Sequence, residues 1–193
     1  MAILVLGLVI FLGLHSTRIV SESGREKAIA RFGEGPWKGV YSLISAIGFV
    51  LIVWGFARAR YDAPQLWTPL PGARHVTMLL MLAALILLAS YLFKRSHITA
   101  AVHHPMVWSV LLWSAGHLVA NGSAADLALF GAFLVWSVAD LASSYARDRR
   151  NGVVYPTPEL GATAGAVVVG LVLYAVLLGG LHLWLFGVSP LAM

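Results

Sequence analysis

Four stretches of the chain, residues 39–57, 75–93, 96–125 and 160–193, contain no Asp, Glu, Lys or Arg. A charge-free apolar run of about 18 or more residues is long enough to cross the hydrocarbon core as a helix. Together with the apolar N-terminal region, the pattern predicts six helical spans at about 2–20, 39–57, 75–93, 104–121, 124–143 and 161–187. The first reads as a helix rather than a cleaved leader, because no Lys or Arg precedes Arg18 and no small-residue cleavage site follows. The fifth is the least marked, since Asp126 and Asp140 flank or enter it. The tight Asn121-Gly122-Ser123 link before it predicts a helical hairpin with the fourth. The expected fold class is all-α, a polytopic transmembrane helical bundle of about six spans, or five if the fifth is dropped. No repeat, low-complexity tract or linker divides the chain, so 1–193 reads as a single integral membrane domain.

Composition sharpens this picture. Residues are 60% hydrophobic and only 11% charged, against about a quarter charged in soluble domains. A soluble domain and a disordered chain are thereby excluded. A porin-type barrel, which would alternate polar and apolar residues, is excluded too. The net charge of +5 does not point to nucleic acid, because the cations sit in short loops between apolar runs. Ten of them lie in 18–38, 94–103 and 143–162, against Arg58, Arg60 and Arg74 on the other side. The positive-inside rule then places both termini outside the cytoplasm, in the periplasm for a bacterial inner membrane. Segment 22–38 mixes both signs and reads as an interfacial helix or ordered loop. Segment 61–67, with Tyr61, Asp62, Pro64, Gln65 and Trp67, reads as an ordered lid over the outer mouth of the bundle. Gln65 and Trp67 are expected to point inward or into the interface, with Trp67 at aromatic-belt depth.

Polar groups inside hydrocarbon are costly, so each intramembrane ionisable residue is a functional candidate. His15 lies in the first span, where Gly7 and Gly13 would let a helix or a flat ligand approach closely. Steps of four place Ser109, Trp113, His117 and Asn121 on one face of the fourth span, either as a polar cavity wall or as a hydrogen-bonded packing stripe. In His103-His104-Pro105 the proline opens that helix. His104 would face the cavity mouth and His103 the solvent. Phe133, Trp136, Asp140 and Ser144 stack along the fifth span, where Asp140 would orient an imidazole, take a proton or cap the helix. His75 and His97 read as interfacial and His182 as structural. Gly161 and Gly165 match a small-residue packing motif. No cysteine is present, which removes disulfides, thiolate metal sites, iron–sulfur clusters and covalent c-type haem. No G-x-S-x-G, P-loop, H-E-x-x-H or G-x-G-x-x-G occurs either. Acidic residues within the spans are too few for a di-metal carboxylate site. Histidines converging in a helical bundle without thiols or carboxylates fit haem best.

Leu14-His15-Ser16, Tyr61-Asp62-x-x-Gln65-Leu66-Trp67, His104-Pro105, Trp113-x-x-x-His117-Leu118 and Asn121-Gly122 occur in that order. The ordered set, from about residue 5 to 145, resembles the NnrU family of bacterial membrane proteins, associated with nitrite and nitric oxide reduction in denitrifiers. It is also similar to the plant zeta-carotene isomerase, a membrane protein that uses haem b to isomerise a cis double bond. The resemblance implies haem b with His15 and His117 as axial ligands. The isomerase's alternative cysteine ligand falls on Ser114, a poor iron ligand. His15 and His117 sit toward opposite ends of their spans, about 12 Å apart in depth. Such a pair needs the haem plane nearly parallel to the membrane or strongly tilted helices, whereas His15 with His104 would be level. The implied partners are the bilayer, a lipophilic small molecule and other denitrification proteins. Two other functions compete with the haem reading. One is a cofactor-free accessory or assembly protein. The other is a membrane methyltransferase of the isoprenylcysteine type, which shares a His-Pro motif; here that motif lacks the preceding arginine and the later carboxylates.

Overall fold

The computed structural model describes residues 1–191. In chain order these form α1 (Ala2–His15), α2 (Thr17–Val20), α3 (Glu22–Phe32), α4 (Glu34–Asp62) and α5 (Ala73–Ser90). There follow α6 (His97–Val102), α7 (Pro105–Ala120), α8 (Ala124–Asn151), α9 (Leu160–Val176) and α10 (His182–Phe186), with a π-helical turn at Leu177–Leu181 before α10. Each expected span has its helix, but the lengths differ from expectation. Four are long and apolar enough to cross a membrane: Glu34–Asp62, Ala73–Ser90, Ala124–Asn151 and Leu160–Phe186. With 14 and 16 residues, α1 and α7 extend only about 21 and 24 Å, short of the roughly 30 Å core. The expected first span is interrupted at Ser16, whose hydroxyl donates to the Leu12 carbonyl at 2.7 Å. A six-span count is therefore not established.

The span that looked weakest is one of the longest helices. The Ser123 amide donates to Asp126 Oδ2 at 3.0 Å, and the Asp126 amide donates back to Ser123 Oγ at 3.2 Å. This reciprocal cap satisfies the orphan donors of the first turn. Asp126 thus starts α8 rather than weakening it. The last span bends where Gly180 leaves helical geometry at φ 136°.

Burial is the reverse of a soluble protein. Val9, Val50 and Val168 are 65, 61 and 58% exposed, while Ser90, Ser96, Ser114 and Ser137 are fully buried. Large apolar side chains face outward and small polar ones pack inside, the distribution expected when lipid is the solvent.

The chain forms two compact units that alternate along the sequence. The first comprises Met1–Thr68 and Asn121–Ser143, the second Pro69–Ala120 and the described residues from Ser144 onward.

In the first unit α1 packs directly on α4. Gly48, Ile52, Gly55 and Ala59 are the buried residues of α4, at alternating steps of four and three. A Cβ on Gly48 would stand 2.9 Å from the Phe11 amide nitrogen, and one on Gly55 would run into Leu4 N. On α1, a Cβ on Gly7 would stand 2.6 Å from Ile52 N, so the close approach expected at Gly7 is present. Nothing lies within 4 Å of a Cβ on Gly13, where it was also expected. Segment 22–38 is helical from Glu22, capped by Ser21 Oγ accepting from the Gly24 amide at 3.1 Å.

Segment 61–67 is held by main-chain hydrogen bonds to the turn at Gly122. The Leu66 and Trp67 amides donate to the Gly122 carbonyl at 2.8 and 3.2 Å, and the Ala124 amide donates to Pro64 O at 2.9 Å. Gln65 is exposed, and its side-chain amide closes its own turn on Trp67 O at 2.6 Å. Trp67 is half-buried, while Tyr61 and Asp62 are exposed at the end of α4. A Cβ on Gly122 would collide with Trp67 O. Gly122→Ala should therefore open this clasp at a cost of about 1–3 kcal/mol. Hydrogen exchange at the Leu66 and Trp67 amides reads it, and unchanged protection in the variant contradicts it.

In the second unit α5 packs on α7 and on α9. Thr77 Oγ1 donates to Gly116 O at 2.7 Å, and a Cβ on Gly170 would stand 2.6 Å from Ile86 Cα. Of the expected Gly161–Gly165 motif only Gly165 makes a close contact, against the Phe93 ring.

Candidate functional site

His15 closes α1 among aromatic rings of the first unit. Phe11, one turn earlier, stacks on it at 4.2 Å between centroids. Tyr41 of α4 and Trp136 of α8 meet it edge-on at 5.4 and 6.3 Å. Phe133 packs on Phe11 at 5.9 Å, so the expected α8 stripe of Phe133 and Trp136 does face α1. Asp140 continues that stripe, half-buried. His15 Nδ1 lies 2.7 Å from the Phe11 carbonyl. A carbonyl can only accept, so Nδ1 carries the proton and, in the neutral ring, Nε2 carries the lone pair. That is the tautomer required of an Nε2 metal ligand.

His117 of the second unit repeats the arrangement. Its Nδ1 donates to the Trp113 carbonyl at 2.8 Å, and its ring meets the Trp113 indole at 5.5 Å. Here too Nε2 is the lone-pair nitrogen of the neutral ring. Ser114, buried beside it, turns back on its own helix and donates to Val110 O at 2.8 Å. Ser109 is buried and Trp113 half-buried, as a packed stripe requires; Asn121, also half-buried, begins the turn that belongs to the first unit.

His104 belongs to a cluster that sequence reasoning missed. Its Nε2 lies 2.8 Å from Asp148 Oδ2, at ion-pair distance but off the axis of a linear hydrogen bond. Tyr155 OH donates to the same carboxylate oxygen at 2.6 Å. Trp108 Nε1 donates to Tyr145 OH at 2.9 Å, which in turn donates to Val102 O at 2.7 Å. Burial and the adjacent Asp148 carboxylate push the Tyr155 phenol well above its ordinary range. His103, expected in solvent, is half-buried and stacks on Tyr155 at 4.0 Å. It does so at φ 58°, a conformation rarely taken by residues other than glycine. His104 therefore faces a carboxylate rather than a cavity mouth. One signal was available: Tyr145 and Asp148 lie one turn apart on α8. It was masked by the surrounding arginines, which read as a loop charge.

The remaining histidines make local contacts or are exposed. His97 Nδ1 lies 2.8 Å from Thr163 Oγ1, His182 Nδ1 donates to Val188 O at 2.7 Å, and His75 is exposed at the start of α5. Among the described residues no group of three or more His, Asp or Glu side chains is placed to hold a metal ion. A porphyrin iron brings four equatorial nitrogens of its own and asks the protein for only one or two imidazoles.

A family model described as NnrU protein matches residues 3–190. No curated protein and no solved structure matches the chain.

Proposed function

The chain belongs to the NnrU family, and from that premise we propose that it is a haem b-binding membrane protein serving nitrite and nitric oxide metabolism. His15 of the first unit and His117 of the second are the proposed imidazole ligands, each taken within its own unit. The observation that carries the reading is their shared tautomer: each donates Nδ1–H to the carbonyl four residues back, leaving Nε2 as the coordinating nitrogen. His104 is the weaker candidate because its Nε2 already faces Asp148. The residues around His15 suit a flat macrocycle, with Phe11, Tyr41 and Trp136 supplying apolar and edge contacts. When bound, haem would supply a one-electron couple, and with imidazoles at both axial positions a small diatomic would bind only in place of one of them. The protein's own residues hold the group, fix the imidazole orientation and keep water away.

Protein purified from haem-replete cells should absorb as a b-type haem protein in the oxidised and reduced states. A colourless protein that takes up no added haem contradicts the proposal and favours the cofactor-free accessory role. The setting is the bacterial inner membrane with both termini periplasmic, supported by the ten-to-three cation asymmetry. A reporter fused after Met193 is expected to be active only outside the cytoplasm. Activity only in the cytoplasm reverses this orientation.

A further inference from the structure

Among the described residues three buried side-chain polar atoms have no hydrogen-bond partner: Ser45 Oγ, Trp136 Nε1 and His104 Nε2. The third lies 2.8 Å from Asp148 Oδ2, the oxygen to which Tyr155 O–H donates at 2.6 Å. The Tyr155 ring stacks on the His103 imidazole, 4.0 Å between centroids and 15° between planes. One phenol is thus held twice, by a flat ring against its face and by a carboxylate at its hydroxyl. All four residues belong to the second unit.

The groups that receive the phenol are fixed by regular structure, and the phenol is not. His103 and His104 join α6 to α7, and Asp148 is on α8. The His104 amide donates to Val102 O at 2.6 Å across His103, whose φ 58° and ψ −43° make it the centre of a γ-turn of the rare, strained kind. Tyr145 O–H donates to the same carbonyl at 2.7 Å and accepts from Trp108 Nε1 at 2.9 Å, which pins the turn. Such strain persists only where the surroundings impose it, and it concentrates at ligand clamps. Here it presents the His103 ring. Tyr155 comes instead from the irregular stretch 153–159, where Val153, Val154, Pro156 and Thr157 are exposed.

A hydroxyl oxygen placed between Asp148 and His104 can donate to the carboxylate and accept from the imidazole N–H. Tyr155 does only the first, which leaves His104 Nε2 with the full cost of its desolvation. A phenol free of the chain can do both. Asp148 stands near the end of a span-length helix, and His104 directly precedes apolar α7. The cradle therefore lies at an edge of the hydrocarbon layer, within reach of a ring carried on a lipophilic tail.

We propose that His103, His104 and Asp148 form a binding site for the hydroxylated ring of a membrane quinol, which Tyr155 occupies as an internal competitor. The ring stacks on His103, and its hydroxyl donates to Asp148 Oδ2 and accepts from His104 Nε2–H. The site needs no haem and is independent of the ligand assignment at His15.

The test titrates the full-length protein in nanodiscs, without oxygen, with decylubiquinol, its dimethyl ether and p-cresol. Tyr155→Ala should bind decylubiquinol about tenfold or more tightly than the wild type, because the competitor is gone. In that variant the quinol should bind about tenfold more tightly than the ether. Adding Asp148→Ala should abolish the difference. The unfolding temperature checks that the variants remain folded. A second measurement needs no substitution: fluorotyrosine incorporated at position 155 should move to a solvent-exposed 19F shift when decylubiquinol saturates the protein. Equal affinity of Tyr155→Ala and wild type, equal binding of quinol and ether, or an unmoved 19F signal at saturation overturns the proposal. Uptake of p-cresol but not of decylubiquinol by Tyr155→Ala overturns it as well, since the cradle then fits only its own tyrosine.

Discussion

His15→Ala is expected to lose haem by about a hundredfold in affinity, or to retain it with an altered spin state. Removing the proposed imidazole leaves no second imidazole among the rings that meet it, which are those of Phe11, Tyr41 and Trp136. Losing a metal ligand costs more than losing one of its outer hydrogen bonds, which alone is worth about 10- to 100-fold. His117→Ala should behave in the same direction. His104→Ala should keep the spectrum, because that imidazole is engaged with Asp148. Its expected phenotype is loosening of the Tyr155 segment, which hydrogen exchange reads. Full haem retention with unchanged spectra in both His15→Ala and His117→Ala would sink the ligand assignment.

Gly55→Leu should have the largest effect on folding. The α1–α4 pair is in backbone contact at Gly55, where even a Cβ would run into Leu4 N. A leucine there cannot be accommodated by a rotamer change, since the obstacle is main chain. The helices must separate, exposing Gly7, Gly48 and Ile52 and losing the dispersion contacts that replace the hydrophobic effect between helices in lipid. Overpacking typically costs about 1–3 kcal/mol, and a backbone clash belongs at or above the upper end. A fall in thermal unfolding temperature in detergent reads this, with Gly13→Leu as control because a Cβ there has open space. Equal effects at the two positions would contradict the packing described.

The hydrophobic pattern located the helices because charge-free runs of span length admit few other structures. It misjudged their ends. The first span is interrupted at Ser16, a break that hydropathy does not report. Asp126 looked like a defect in an apolar run, yet Ser123-Ala124-Ala125-Asp126 is a helix-start pattern that the sequence displays openly. His15 and His117 were legible as polar residues in apolar spans, and their tautomers follow once a helix places a carbonyl four residues back. Gly7 and Gly13 could not be told apart, since the distinction depends on which face of α1 meets α4. The Tyr155–Asp148–His104 cluster was not legible because Tyr155 lies in an irregular stretch whose docking no periodicity reports. The orphaned Trp136 and Ser45 donors were hidden for a related reason: satisfaction of a polar group depends on the neighbouring helices.

His15 Nε2 is the proposed ligand of haem iron. Its most direct test is chemical rescue of His15→Gly, where the cavity left by the side chain admits free imidazole. The variant's haem spectrum should differ from that of the wild type. Imidazole, at concentrations that leave wild-type protein unchanged, should then restore the wild-type spectrum. A folded His15→Gly protein whose haem spectrum already matches the wild type, or whose altered spectrum imidazole does not move, contradicts it.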